Sequence, residues 1–155
     1  MSELDRFKDF DATLLDPKFT SIEVGAGLKP KDYLAFARSD MKEGSDPRSR
    51  VNAFGNAKRA LHLQVDVIVD AFGFSKLKKG SGFPSKREFC ENVGLPVQNI
   101  ITQLNKLRNK IEHDYILPEE QQVKDAIDIV ELFLESTERY ILNFPDNIVF
   151  PEYDA

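Results

Sequence analysis

Apolar residues recur along this chain at steps of three, four and seven, the period of a helix with one buried face, and the recurrences fall into separate blocks. The longest comprises Val51, Phe54, Leu61, Val65, Ile68 and Phe72, widened by Leu63 and Val67 as suits a helix packed on two neighbours. This spacing predicts a helix over about 47–72, with Asp46 as N-cap and Pro47 as its first residue. Val97, Ile100, Ile101, Leu104, Leu107 and Ile111 predict a second long helix over about 96–112. Val123, Ile127, Val130, Leu134 and Ile141 predict a third over about 118–143, opened by Pro118 and stopped by Pro145. Shorter helices are expected over about 30–41, with Tyr33, Leu34, Phe36 and Ala37 on its apolar side, and over about 85–92, ended by Val93-Gly94. No segment alternates strongly enough to read as a strand. The expected fold is all-α, a four- to five-helix up-and-down bundle. Residues 1–28 are expected as an extended arm with a helical turn around 4–10, 29–144 as the bundle, and 145–155 as an extended tail.

Composition narrows the class. A chain of 155 residues suits one domain with a modest core. No apolar run approaches the ~18 residues of a membrane span, and the polar, acidic stretch 1–10 does not read as a secretory signal. Cys90 is the single cysteine, so no internal disulfide forms, which fits a reducing cytoplasm. One cysteine and two histidines are too few for a Cys/His zinc site. The net charge of −5 argues against a protein that coats nucleic acid non-specifically, yet it leaves room for a local basic cleft.

The two histidines differ in setting. His62 has Lys58, Arg59 and Asp66 at helical spacing and reads as a surface histidine paired with Asp66. His113 stands at the end of a helix, before a turn over 114–117. Asn109 precedes it by one turn and shares its face. Arg108 precedes it by five residues, about 140° away around an ideal helix. Arg108 and His113 of one chain are therefore not obviously coplanar: either the helix end unwinds or a second copy completes the site. A purely structural account also exists. Arg108 and Glu112 form an i, i+4 pair, Lys110 and His113 are favourable cations near a helix C-terminus, and Tyr115 would be a core aromatic with its hydroxyl at the rim.

The stretch Arg108-Asn109-Lys110-Ile111-Glu112-His113-Asp114-Tyr115 resembles the Arg-x4-His-x-Tyr motif of the HEPN superfamily (higher eukaryotes and prokaryotes nucleotide-binding domain). In that family the motif closes a long helix of a helical bundle, and a polar residue, often Asn, follows the arginine, as Asn109 does here. The helical layout over about 30–143 is similar too, whereas the first 28 residues and the tail lie outside the resemblance. The resemblance implies a metal-independent endoribonuclease without cofactor, acting as a homodimer whose motifs face each other. Arg108 and His113 would be catalytic, with Asn109 and Tyr115 in support. An imidazole of ordinary pKa near 6.5 suits removal of the 2′-hydroxyl proton of RNA. Arginine suits charge developing on the phosphate. The second subunit's histidine would protonate the leaving 5′-oxygen, leaving a 2′,3′-cyclic phosphate. The resemblance further implies a cytoplasmic toxin or phage-defence effector. It also implies a separate antitoxin or nucleotidyltransferase partner, the latter adenylylating Tyr115.

For RNA contacts, Lys76, Lys78, Lys79, Lys86 and Arg87 crowd around Gly80-Ser81-Gly82-Phe83, a basic connector with an aromatic. Lys106 and Lys110 flank Arg108 on its own helix and would add positive charge. Two other readings compete: a non-catalytic HEPN domain that binds a nucleotide or partner protein, and a structural helical dimer in which Arg108 merely pairs with Glu112.

Overall fold

A computed structural model describes residues 16–44, 46–77, 82–95 and 98–149; the expected turn around 4–10 lies outside them. The described chain is an all-α bundle of helices α1 (Pro30–Glu43), α2 (Pro47–Ala71), α3 (Phe83–Asn92), α4 (Gln98–Glu112) and α5 (Glu120–Leu142). A 3₁₀ turn spans Phe74–Leu77, and two short strands, β1 (Asp16–Thr20) and β2 (Phe144–Val149), flank the bundle.

Local chemistry sets the helix ends. Asp46 caps α2 by accepting from the backbone N–H groups of Arg48 (2.8 Å) and Ser49 (3.3 Å), with Pro47 next in line. The hydrogen bonds from Ser49 and Arg48 hold the Asp46 carboxyl below its usual range. α5 starts two residues later than expected. Glu119 takes the N-cap place, its N–H donating to Gln122 Oε1 (3.1 Å). Pro118 lies just ahead, and its carbonyl accepts from Arg50 Nη1 at 2.9 Å. α3 opens at Phe83, with Pro84 in its first turn, because proline is tolerated there. Residues 96 and 97, expected to open α4, are outside the described set.

Side-chain pairings give the helix directions. Asn56 on α2 donates to Asp40 near the end of α1 (2.9 Å), so these neighbours run antiparallel through their short link. Arg50 meets the start of α5 and Gln64 meets Thr137 farther along, so α2 and α5 run parallel. Lys58 pairs with Glu112, while His62 feels the charge of Arg108 four residues back along α4; α4 therefore runs against α2. The order α1, α2, α4, α5 alternates up and down, while the short α3 lies along the C-terminal half of α2, Phe83 meeting His62 and Lys86 meeting Asp66.

The core sits around α2. Ala37, Ala53, Ala57 and Ala60 are fully buried and let α1 and α2 approach closely, while Phe54, Leu61, Val65 and Ile68 meet Val123, Val130, Phe133 and Leu134 of α5 in one cluster. Val51, expected on the core face, is 42 % exposed. Periodicity identifies the face of a helix but not how far its neighbours cover it. Phe36 on α1 is likewise exposed.

The strand pair was not foreseen. β1 and β2 are antiparallel, from Asp16 opposite Val149 to Thr20 opposite Phe144, with a register shift between Lys18 and Phe19. Pro17 and Pro145 break any clean alternation, and proline is tolerated because both strands are edges. Below the ribbon, Ile22 N–H donates to Ile141 O (2.7 Å) and Ser21 Oγ to Leu142 O (3.2 Å), tying the segment to the end of α5. Phe144 packs edge-on against Phe72 at 5.1 Å.

Gln64 and Thr137 are the buried polar side chains of the described core. Gln64 Nε2 donates to Thr137 Oγ1 (2.9 Å), which in turn donates to the Phe133 carbonyl (2.7 Å). Thr137→Val would leave the glutamine amide with only a long 3.5 Å bond to Leu134 O. We expect it to lower unfolding free energy by about 1–3 kcal/mol in urea titrations. Adding Gln64→Met should recover most of that loss. Equal losses for the double and single variants would show that the pair is not coupled.

Candidate functional site

The resembling motif occupies the end of α4 and the turn beyond it. His113 N–H still donates to Asn109 O (2.9 Å), so helical geometry persists through His113. The chain then widens. Asp114 N–H shares the Asn109 carbonyl (3.2 Å), and Ile116 N–H reaches back to Lys110 O (2.9 Å). Tyr115 between them has φ of 53°, the left-handed conformation that a non-glycine residue adopts at a cost of about 1–2 kcal/mol. It is the one positive-φ non-glycine residue among those described. The residue is 89 % exposed, so it is no core aromatic, and Ile116 and Leu117 beside it are exposed as well. A left-handed residue spanned by such a long-range bond is a common way for a helix to stop, although glycine usually fills the place.

Because the helix does not unwind before His113, Arg108 and His113 stay about 140° apart, and one chain does not bring them onto a common face. Asn109 and His113, both exposed, share one side of α4. Arg108 faces α2. Its Nε donates to Glu112 Oε2 at 2.6 Å, and the other oxygen of that carboxylate accepts from Lys58 of α2. The hydrogen bond from Lys58 does most to hold Glu112 below the usual carboxylate range; burial opposes it, and the hydrogen bond from Arg108 and the charges of both cations add further lowering. The expected Arg108–Glu112 pair is therefore present, but as one arm of a bridge between helices.

Lys106 and Lys110 are not on Arg108's side. At 100° per residue each stands about 160° from it, and both line a shallow groove of about 230 Å³ between α4 and α5 with Gln122 and Asp125. Their charge lies nearer His113. The basic connector is also reorganised. Lys86 pairs with Asp66 of α2 at 2.7 Å, and Arg87 lies 3.4 Å from Glu91 on its own helix. Lys76 is exposed in the 3₁₀ turn, whereas Lys78 and Lys79 lie outside the described residues.

His62 is not a surface histidine paired with Asp66, because Lys86 takes that carboxylate. It is half-buried, its ring stacked on Phe83 with centroids 3.9 Å apart and planes 12° from parallel. Burial pushes its pKa below the ordinary imidazole value, and Lys58 adds to this; Asp66 opposes them, and Arg108 and Lys86 contribute further lowering. His62 lines an open groove of about 500 Å³ with Leu28, Tyr33, Lys58, Arg59, Leu63 and Asp66. Sequence reasoning passed over Lys58, His62 and Phe83 as a group. The cue was the Lys58-Arg59-His62 spacing, but its meaning depends on α3 and α4 coming to rest beside it.

Burial raises the Cys90 thiol to about 11, which leaves it a poor nucleophile. Among the described residues no three His, Cys, Asp or Glu side chains cluster as a metal site, and no helix is long and apolar enough to cross a membrane. Compared with protein-family models, curated proteins and solved structures, the chain gives no match.

Two outcomes follow. Tyr115→Gly removes left-handed strain without removing packing, so it should raise thermal stability by up to about 1 kcal/mol; a lower melting temperature would refute strain at this position. His62 has a depressed pKa in the folded chain, so below its unfolded value the unfolded state binds the extra proton. Its contribution to stability is thus present above that value and lost as pH falls through and below it. Melting temperatures should fall on acidification from pH ~7 to ~5.5, across the ordinary imidazole pKa, and His62→Gln should flatten that slope.

Proposed function

We propose that the chain is a metal-independent endoribonuclease that cleaves RNA by 2′-hydroxyl attack and acts as a homodimer. The observation that carries this reading is the presentation of Arg108, His113 and Tyr115 at one helix end, with His113 and Tyr115 exposed and Tyr115 held in a strained backbone. Since Arg108 and His113 diverge within one chain, the reacting centre takes its groups from two copies. The exposed Tyr115-Ile116-Leu117 segment offers apolar surface beside it. His113 of one copy removes the 2′-hydroxyl proton, and its counterpart protonates the departing 5′-oxygen. Arg108 balances charge on the phosphate, and Asn109, on His113's face, orients the phosphate or the imidazole. A cytoplasmic toxin or phage-defence role belongs to the same proposal. So does a nucleotidyltransferase partner that silences the enzyme at the exposed Tyr115 hydroxyl.

One observation favours a second reading. Arg108 is engaged by Glu112, which suits a non-catalytic domain that binds a nucleotide or partner protein.

Incubation of purified protein with RNA in EDTA separates the two. The nuclease reading expects products ending in 2′,3′-cyclic phosphate. Cleavage should fall at least ~100-fold in His113→Ala and in Arg108→Ala, and stay unchanged in Lys124→Ala on the outer face of α5. Thermal stabilisation by a nucleotide without any RNA cleavage would replace it with the binding reading.

A further inference from the structure

The bridge between α2 and α4 has the form of an anion site already filled by the chain's own carboxylate. Lys58 and Arg108 come from different helices and converge on the two oxygens of Glu112. A Lys–Arg fork around an oxyanion is equally the geometry that receives phosphate. The surroundings are positive. Lys58, Arg59, Lys86 and Arg108 gather around His62, against the carboxylates of Asp66 and Glu112, four cations to two anions on a chain whose net charge is −5. A local excess of cations on an acidic protein directs anionic ligands to that place. The adjoining groove of about 500 Å³ has ring surfaces in its wall: Tyr33, and His62 backed by Phe83. Stacking surfaces beside paired cations are what single-stranded nucleic acid requires.

We propose that Lys58 and Arg108 form a phosphodiester-binding subsite for single-stranded RNA, that the His62 groove takes an adjoining base, and that Glu112 is an internal stand-in which the RNA phosphate displaces. The identity of the strand rests on the ribonuclease reading; the anion site rests on its own geometry. Exchange is feasible because the three side chains are partly exposed, and ion pairs in such settings are weak. Glu112 sits in the last turn of α4, where it opposes the helix dipole, so its removal does not threaten the helix. Displacement would also free Arg108, so the Glu112 bridge keeps the arginine occupied until RNA arrives.

The test is fluorescence anisotropy with a fluorescein-labelled, unstructured RNA of about 12 nucleotides, using the full chain with His113→Ala so that RNA is not consumed. Glu112→Gln should tighten RNA binding about threefold. Lys58→Met, which keeps the apolar stem, should abolish that gain and reduce the slope of log affinity against log salt by about one. Melting curves establish that each variant is folded. If Glu112→Gln melts early, Lys58→Met alone decides through its salt slope. Unchanged or weaker RNA binding by folded Glu112→Gln, or an unchanged slope in Lys58→Met, overturns the proposal. Tightening for adenosine monophosphate but not for RNA also overturns it, by assigning the fork to a free nucleotide. Because binding is read without turnover, a wild-type chain that cuts no RNA would sink the nuclease reading while leaving this result intact.

Discussion

The hydrogen bond between Gln64 and Thr137 is the constraint from which the placement of the other elements follows. The seam between α2 and α5 is otherwise lined by Val, Ile, Leu, Phe and Ala, and apolar surfaces of that kind are indifferent to small slips along the helix axis. A buried amide is not indifferent, because its donors lose water and need a partner at one position. Thr137 meets this need, its hydroxyl accepting from Gln64 while donating to Phe133 O. With the two helices locked parallel, Arg50 comes to the Pro118 carbonyl at the other end of the seam. That contact fixes where α5 begins.

Once the start of α5 is fixed, the end of α4 has little freedom. The chain must leave α4 after His113 and reach Glu119 within a few residues. It does so by overrunning the helix with longer-range hydrogen bonds and placing Tyr115 in left-handed backbone. Glycine would make that reversal at lower cost. Tyrosine stands there instead, largely exposed to solvent. The direction of α4 that follows also brings Glu112 to Lys58.

Electrostatics then divides α4 into two faces. One carries Arg108 and Glu112 against α2; the other carries Lys106, Lys110, Asn109 and His113 away from it. On the α2 side, burial and then the charge of Lys58 keep His62 neutral to lower pH than a free imidazole. On the opposite side His113 is exposed. A chain of net charge −5 thus gathers Lys58, Lys86 and Arg108 near His62 on one side of α4 and leaves the His113 imidazole exposed on the other.

The helices were legible from the chain alone because their signals are local. Apolar periodicity, the Asp46-Pro47 start and the proline stop at 145 act within a few residues of where they are read. The spacing of Arg108, His113 and Tyr115 was legible for the same reason, as was the roughly 140° divergence of the first two, a property of any helix that persists. Other features depend on residues far apart in sequence. The pairing of β1 with β2, the stacking of His62 on Phe83, the capture of Asp66 by Lys86 and the second arm of Glu112 to Lys58 all required separate elements to meet. The sequence by itself determined an all-α chain with a chemically distinctive helix end. Only the tertiary structure decided which side chains share that end, because charge and burial act through space while periodicity acts along the chain.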